Sequence, residues 1–117
     1  MVTLATTWQK HWQPDLIGTL VFVLRNDEVL LIHKKTGHGR GKISAPGGKL
    51  EPGEQVAACA AREVQEEVGI QPMNLVCRAE LRFVEECGAQ WLGYAYTTRE
   101  CSGDPRQTLE ADPLWCR

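Results

Sequence analysis

The stretch that decides the fold is residues 48–70, which read GKLEPGEQVAACAAREVQEEVGI. Apolar residues recur there at every fourth position and would form one stripe along a helix. They are Val56, Ala60, Val64 and Val68. Gly69 stands where a helix commonly ends in a left-handed residue. The spacing therefore predicts a helix over residues 54–68 whose apolar stripe packs on a core.

A second face of this helix carries three glutamates. Glu63, Glu66 and Glu67 are spaced i, i+3 and i+4, so their side chains fall within roughly a 100° arc. Like charges at this spacing are destabilising, and anions near a helix C-terminus oppose its dipole. A bound cation would remove both penalties. Oxygen ligands favour Mg²⁺ over zinc, with Mn²⁺ or Ca²⁺ as alternatives.

These acids also have a simpler interpretation, a solvated helix face on which Arg62 and Glu66 pair at i and i+4. Residues 34–49 bear on the choice, because this segment is rich in lysine and glycine and predicts a mobile basic loop rather than a regular element. Carboxylates, a hard cation and a basic loop together indicate substitution at phosphorus. The glutamates alone leave both interpretations open.

The residues around the glutamates decide between them. The stretch follows the pattern G-x5-E-x7-R-E-U-x-E-E-x-G-U, where U is aliphatic, at every specified position. The matching residues are Gly48, Glu54, Arg62, Glu63, Val64, Glu66, Glu67, Gly69 and Ile70. This stretch resembles the Nudix box. The resemblance implies an α/β class chain with the Nudix fold, an α/β/α sandwich around a mixed β-sheet, and a hydrolase of phosphoanhydride bonds.

The resemblance also implies roles for particular residues. Glu63, Glu66 and Glu67 would be the catalytic carboxylates and would bind Mg²⁺, or Mn²⁺ in its place. Gly47 would add its backbone carbonyl to the metal site, and Glu63 or a neighbour would help to activate the attacking water.

Further residues would support the site or contact the substrate. Arg62 and Glu54 would form a salt bridge that fixes the loop against the helix, and Gly48 would belong to the same support. From the basic loop we expect Lys35 and Lys49 to contact substrate phosphates. Ser44 occupies the position where related enzymes often place an asparagine that binds an oxidised base, so we expect it to face the substrate.

The rest of the chain is organised as strands around the box. Residues 16–24, 28–33, 74–85 and 90–98 have the composition of strands, and the tail from 102 onward is irregular up to a short strand at 114–116. We therefore expect a Nudix domain over residues 16–117, with its box at 48–70. Residues 1–15 form a lead-in segment that includes Trp8 and Trp12.

Composition restricts the partners and the compartment. A chain of 117 residues is long enough for one small domain, and its net charge of −2 argues against duplex nucleic acid as a partner. No segment predicts a signal sequence or a membrane span. The five cysteines lack disulfide or zinc spacing, so we expect reduced thiols in a cytoplasmic protein.

Three segments, residues 19–24, 34–49 and 103–115, are similar to the oxidised-purine branch of the family. This similarity implies Mg²⁺-dependent hydrolysis of a nucleoside triphosphate, of the 8-oxo-dGTP type, to a nucleoside monophosphate and pyrophosphate. The alternatives are a Nudix hydrolase of a dinucleoside polyphosphate or a capped RNA end, and a module that binds a nucleotide without cutting it. A loop glutamate that assists the metal in relatives is replaced by Gln107, and Glu110 lies nearby.

The C-terminus departs from the family pattern. Family members usually continue past the segment that corresponds to 115–117 into a final helix, whereas this chain reaches Arg117 directly. We therefore expect the fold without that helix. That helix would cover an apolar surface. We therefore expect that the chain is truncated, that Trp8 and Trp12 cover this surface, or that a second copy of the chain covers it in a homodimer.

Overall fold

Ten strands and one helix make up the described part of the chain, which comprises residues 2–4, 12–37 and 39–117 of this computed structural model. The strands are β1 (Val2–Leu4), β2 (Leu16–Arg25), β3 (Glu28–Lys34), β4 (Ile43–Ser44), β5 (Gly47–Lys49), β6 (Gln71–Met73), β7 (Val76–Glu85), β8 (Gln90–Thr98), β9 (Glu100–Ser102) and β10 (Ala111–Cys116). The helix, α1, spans Val56–Val68.

The main sheet is mixed, as the resemblance implies. Its strand order is β1-β7-β8-β2-β3-β10, with β4 attached to β3 and β5 attached to β2. Strands β2 and β8 are parallel, and the other pairs in this sheet are antiparallel. Strands β6 and β9 form a separate two-stranded sheet. The mixed sheet and its helix confirm the α/β class.

Helix α1 packs its apolar stripe on the centre of this sheet. Ala60, Val64 and Val68 are fully buried. They lie in one cluster with alternate residues of β2 and β3, namely Val21, Val23, Leu30 and Ile32. The face formed by every fourth residue of the helix therefore packs on the face formed by alternate residues of the strands. Both sequence patterns predict this packing.

The ends of the helix agree with the prediction to within two residues. Gly69 adopts the left-handed conformation, with φ of 77°, and its N–H donates to the carbonyl of Gln65. The N-terminal end lies at Val56 rather than at residue 54. The difference arises because Gln55 is extended and the Glu54 side chain accepts a hydrogen bond from the N–H of Glu51, which closes a turn before the helix.

The prediction of an irregular loop over residues 34–49 is wrong in part, because β4 and β5 lie within it. Strand β5 runs so close to β2 that a Cβ atom on Gly47 would collide with the carbonyl of Thr19. Gly47 is therefore a requirement of close strand packing, whereas Gly37, Gly39 and Gly41 have positive φ angles and lie outside the strands. The tail is also more regular than predicted, because β10 begins at Ala111 rather than at residue 114. Pro113 is tolerated because β10 is an edge strand.

The lead-in segment is only partly described. Residues 2–4 pair with β7, and the guanidinium of Arg82 lies 4.7 Å from the ring centre of Trp12. Trp8 lies outside the described residues. All five cysteines are free thiols. Among the described residues, no helix is long and apolar enough to cross a membrane, and α1 is the only helix, with β10 as the last element.

The core packing predicts a contrast between two leucines. Leu30 is fully buried in the core cluster, whereas Leu109 is 92% exposed. We expect Leu30→Ala to lower the free energy of unfolding by about 2–5 kcal/mol, because it leaves a cavity in the core. Leu109→Ala should change it by less than about 0.5 kcal/mol. Urea denaturation of both variants measures this, and equal losses would contradict the core described above.

Candidate active site

Glu67 is the most unusual acid of the helix, because its residue is only 2% exposed. Its Oε1 accepts a hydrogen bond of 3.0 Å from the N–H of Gly47. Its Oε2 is buried, and no group among the described residues donates a hydrogen bond to it. A carboxylate with one oxygen left without a partner inside a protein is costly unless a cation or a proton joins it.

Burial dominates the electrostatics of Glu67 and Glu63. Burial raises the pKa of Glu67 to about 7, although the N–H of Gly47 and the charge of Lys34 oppose the rise. Burial also raises the pKa of Glu63, with Glu66 and Glu110 adding to the rise and Arg62 opposing it. Desolvation is therefore the main cause of both rises in pKa, and neighbouring carboxylates add to it.

Glu63 is held against the strand that leads into the helix. A Cβ atom on residue 48 would collide with the Glu63 carboxyl group in its present position, so a side chain there would require this carboxyl group to move. Arg62 Nη1 lies 2.9 Å from Glu63 Oε1 and 3.2 Å from Glu66 Oε2. In the present side-chain positions, Arg62 therefore binds two of the three helical carboxylates.

The salt bridge that the sequence predicts between Arg62 and Glu54 is present and bidentate. Arg62 Nε lies 2.7 Å from Glu54 Oε2, and Nη2 lies 3.0 Å from Oε1. The hydrogen bonds from Arg62 lower the pKa of Glu54 to about 2, and the same pairing raises the pKa of Arg62. Arg62 Nη2 also donates to the carbonyl of Lys49 at 3.4 Å. Arg62 thus ties the turn before the helix and the end of β5 to the helix.

The donor set fits a hard divalent cation. Glu63, Glu66 and Glu67 supply carboxylate oxygens, and Glu67 Oε2 has no other partner among the described residues. Within the same part of the chain, no three acidic, imidazole or thiol groups are yet gathered around one point that could hold an ion. Binding an ion would thus require Glu63 and Glu66 to exchange Arg62 for the metal.

These acids face an open cavity of about 890 Å³. Its lining combines the three helical glutamates and Glu110 with three lysines and an apolar surface. The lysines are Lys34, Lys42 and Lys49, and the larger apolar side chains are Leu16, Leu20, Ile43, Leu81, Phe83 and Trp91. A cavity of this kind offers cations for phosphates and an apolar wall for a planar group.

The expected substrate residues are only partly brought together. Ser44 and Lys49 line the cavity, and the Ser44 hydroxyl donates to the carbonyl of Ala45. Lys35 is not among the lining residues, since its Nζ forms a 2.8 Å ion pair with Asp112. Its neighbour Lys34 lines the cavity instead, which is the consequence of alternating side-chain directions at the end of β3.

The structure also brings forward residues that sequence reasoning left unassigned. Glu110 lines the cavity, whereas Gln107 does not. The rings of Phe83 and Trp91 are nearly parallel, at 8°, with centroids 6.0 Å apart. A Cβ atom on Gly18 would meet the Trp91 ring at 3.1 Å, and one on Gly93 would meet Phe83 at 3.3 Å. Gly18 and Gly93, paired across β2 and β8, therefore make room for an aromatic surface.

Comparisons with known proteins agree with this geometry. Residues 15–116 match the NUDIX domain family. The chain is 38% identical over 93 residues to the 8-oxo-dGDP phosphatase of Homo sapiens, which covers 79% of this chain and 27% of that protein. It is 31% identical over 99 residues to the oxidized purine nucleoside triphosphate hydrolase of Danio rerio. This alignment covers 83% of this chain and 63% of that protein. The chain thus spans only about a quarter of the human relative's length.

Solved structures give the same result. The MutT NUDIX hydrolase from Burkholderia pseudomallei superposes with a TM-score of 0.79 at 27% identity, over 90% of this chain and 84% of that one. The mixed sheet with its helix is therefore the Nudix fold. The helix carries Arg62, Glu63, Val64, Glu66 and Glu67 of the box, and the other fixed residues flank it. On the fold, the box and the match over residues 15–116, this chain belongs to the Nudix hydrolase family.

Proposed function

We propose that the chain hydrolyses a phosphoanhydride bond of a nucleoside triphosphate, oxidised purines included, to a nucleoside monophosphate and pyrophosphate, with Mg²⁺ as the metal. The observation that carries the proposal is the buried Glu67 carboxylate, whose Oε2 has no partner among the described residues, at a cavity that three lysines line. This combination suits a cation and a polyphosphate better than a solvated helix face.

The residues that would hold the metal are Glu63, Glu66 and Glu67, with the carbonyl of Gly47. Glu110 is our candidate for a fourth carboxylate, because it lines the same cavity and its charge raises the pKa values of Glu63 and Glu67. When bound, Mg²⁺ or Mn²⁺ would polarise the attacking water and neutralise charge on the phosphates. Glu63, or a neighbouring carboxylate, would accept the proton of that water.

Lysines of the cavity would bind the phosphates of the substrate. Lys34, Lys42 and Lys49 line it, and Lys34 is close enough to Glu67 to lower its pKa. Charged hydrogen bonds from these lysines would hold the polyphosphate beside the carboxylates and stabilise charge on the leaving group.

The apolar part of the cavity would hold the base. Phe83 and Trp91 offer an extended aromatic surface on which a purine can stack. The zebrafish relative is named an oxidized purine nucleoside triphosphate hydrolase, which supports this class of substrate. Ser44 has a single hydroxyl in place of an amide, so we expect weaker discrimination between oxidised and normal bases than an amide would give.

A nucleoside diphosphate is the second candidate substrate. The human relative, at 38% identity, is named an 8-oxo-dGDP phosphatase. Hydrolysis of a diphosphate would give the same nucleoside monophosphate with phosphate in place of pyrophosphate. The two reactions would use the same metal ligands, so only product analysis separates them.

A homodimer also remains a prediction, which light scattering would test.

The deciding experiment offers the purified chain a panel of nucleotides with Mg²⁺. The panel comprises normal and oxidised nucleoside di- and triphosphates, dinucleoside polyphosphates and capped RNA. We expect nucleoside monophosphate from the oxidised purines. Glu63→Gln and Glu67→Gln should each lower the rate by more than about tenfold. Glu80→Gln, at an exposed position of β7, should leave the rate unchanged. Nucleotide binding without turnover would favour the non-catalytic module instead.

Neighbouring lysines provide a matched pair of variants. Lys34 lines the cavity, whereas Lys35 pairs with Asp112 outside its lining. We expect Lys34→Ala to raise KM for the nucleotide by about tenfold, since it removes a charged phosphate contact. Lys35→Ala should leave KM unchanged. A larger effect from Lys35→Ala in steady-state kinetics would mean that the wrong lysine faces the substrate.

The pKa of Glu67 predicts how stability depends on pH in the absence of metal. Its folded-state value of about 7 lies above the ordinary 4.5, so the folded chain binds more protons between these values. The stability that protonated Glu67 contributes is therefore fully present below pH 4.5 and is lost as pH rises through about 7. In EDTA, the free energy of unfolding of the wild type should fall relative to that of Glu67→Gln over this range.

Metal should reverse this loss. Added Mg²⁺ at about pH 8 should restore the stability of the wild type but not that of Glu67→Gln, because a cation replaces the proton on the carboxylate. Parallel pH profiles for the two proteins would show that Glu67 does not titrate as described.

A further inference from the structure

The C-terminal end of helix α1 is capped by a distant segment of the chain, residues 106–108. The last carbonyls of a helix have no partners within it and need partners from elsewhere. Here the N–H of Arg106 donates to the carbonyl of Val68 at 2.9 Å. Arg106 Nη1 donates to that of Gly69 at 3.2 Å, and the Thr108 hydroxyl donates to that of Glu67 at 2.7 Å.

The Thr108 hydroxyl makes two further hydrogen bonds. It accepts the N–H of Glu110 at 3.1 Å and the N–H of Ala111 at 3.2 Å. A hydroxyl has one donor and two acceptor positions, so its whole capacity is used. One oxygen atom thus joins the backbone of Glu67, on the helix, to the backbone of Glu110, on the loop.

Helix capping alone does not explain the hydrogen bond from the N–H of Glu110 to the Thr108 hydroxyl. Glu110 is exposed and follows the almost fully exposed Leu109. Its negative charge is repelled by those of Glu63 and Glu67. Like charges and loop freedom both favour movement of Glu110 away from the cavity. The Thr108 hydroxyl, the hydrogen bond from the N–H of Thr108 to Ala111 and that from the N–H of Lys35 to Glu110 oppose this movement.

We propose that Thr108 is a positioning residue, which holds Glu110 in fixed register with Glu67 so that both carboxylates reach the same metal ion. The inference rests on the proposed function in one respect, the assignment of Glu110 as a metal ligand. Thr108 itself contacts neither metal nor substrate. It acts through the two backbones that it joins.

Arg106 provides a matched control, since it caps the same end of the helix without a hydrogen bond to Glu110. We expect Thr108→Val, which keeps the shape but loses the hydroxyl, to weaken Mn²⁺ binding by about 10- to 100-fold and to lower kcat more than it changes KM. Thr108→Ser should restore both to within about twofold. Arg106→Gln should lower the melting temperature but leave Mn²⁺ binding unchanged.

A double-mutant cycle with Glu110→Gln tests the route of the effect. If Thr108 acts through Glu110, Thr108→Val should weaken Mn²⁺ binding by less than about twofold when Glu110→Gln is already present. Mn²⁺ binding is measured by electron paramagnetic resonance, and folding by thermal denaturation. If Thr108→Val does not fold, Thr108→Ala takes its place in the cycle.

The outcomes that overturn the inference are specific. Wild-type Mn²⁺ affinity in Thr108→Val, or additive effects of the two substitutions, would leave Thr108 as a helix cap only. Wild-type affinity in Glu110→Gln would remove the assignment of Glu110, and with it the role of Thr108. A wild-type chain that binds Mn²⁺ but cleaves no nucleotide would sink the proposed hydrolysis, whereas the Mn²⁺ cycle would still decide on Thr108.

Discussion

Burial of the Glu67 carboxylate is the constraint on which the rest of the site depends. Removing a carboxylate from water costs several kcal/mol even after the protein relaxes, and here one hydrogen bond from Gly47 compensates for it only in part. The helix end that carries Glu67 must therefore be held in place by other contacts. Arg62 ties the helix to the preceding turn and to β5, while Arg106 and Thr108 cap its C-terminal end.

Close backbone approach is the second requirement of the site. The carbonyl of Thr19 leaves no room for a side chain on Gly47, and a side chain on Gly48 would displace the Glu63 carboxyl group. The same two residues bring the N–H of Gly47 to Glu67. The strand that supports the helix thus takes part in the electrostatics of the carboxylates. Structural and chemical roles cannot be separated at these positions.

The cavity divides its chemistry between two kinds of surface. Carboxylates and lysines suit a metal ion and phosphates, and the aromatic pair of Phe83 and Trp91 suits a planar base. Gly18 and Gly93, on the adjacent parallel strands β2 and β8, leave space for the two rings. The sheet therefore contributes the apolar surface, and the helix with its flanking loops contributes the charges.

The pairing of Arg62 with Glu54 was implied by the resemblance to the Nudix box. The sequence by itself determined the local features, namely the helix, its left-handed end at Gly69 and the face with three glutamates. These depend on spacing along one element, and a helix converts spacing into direction. Only the tertiary structure decided that Lys34 rather than Lys35 lines the cavity, that Glu110 rather than Gln107 does so, and that β5 lies inside a glycine-rich segment. At a strand end, a shift of one residue reverses the direction of a side chain. In a loop, position depends on distant contacts, such as those of Thr108 with the helix, which no local pattern records.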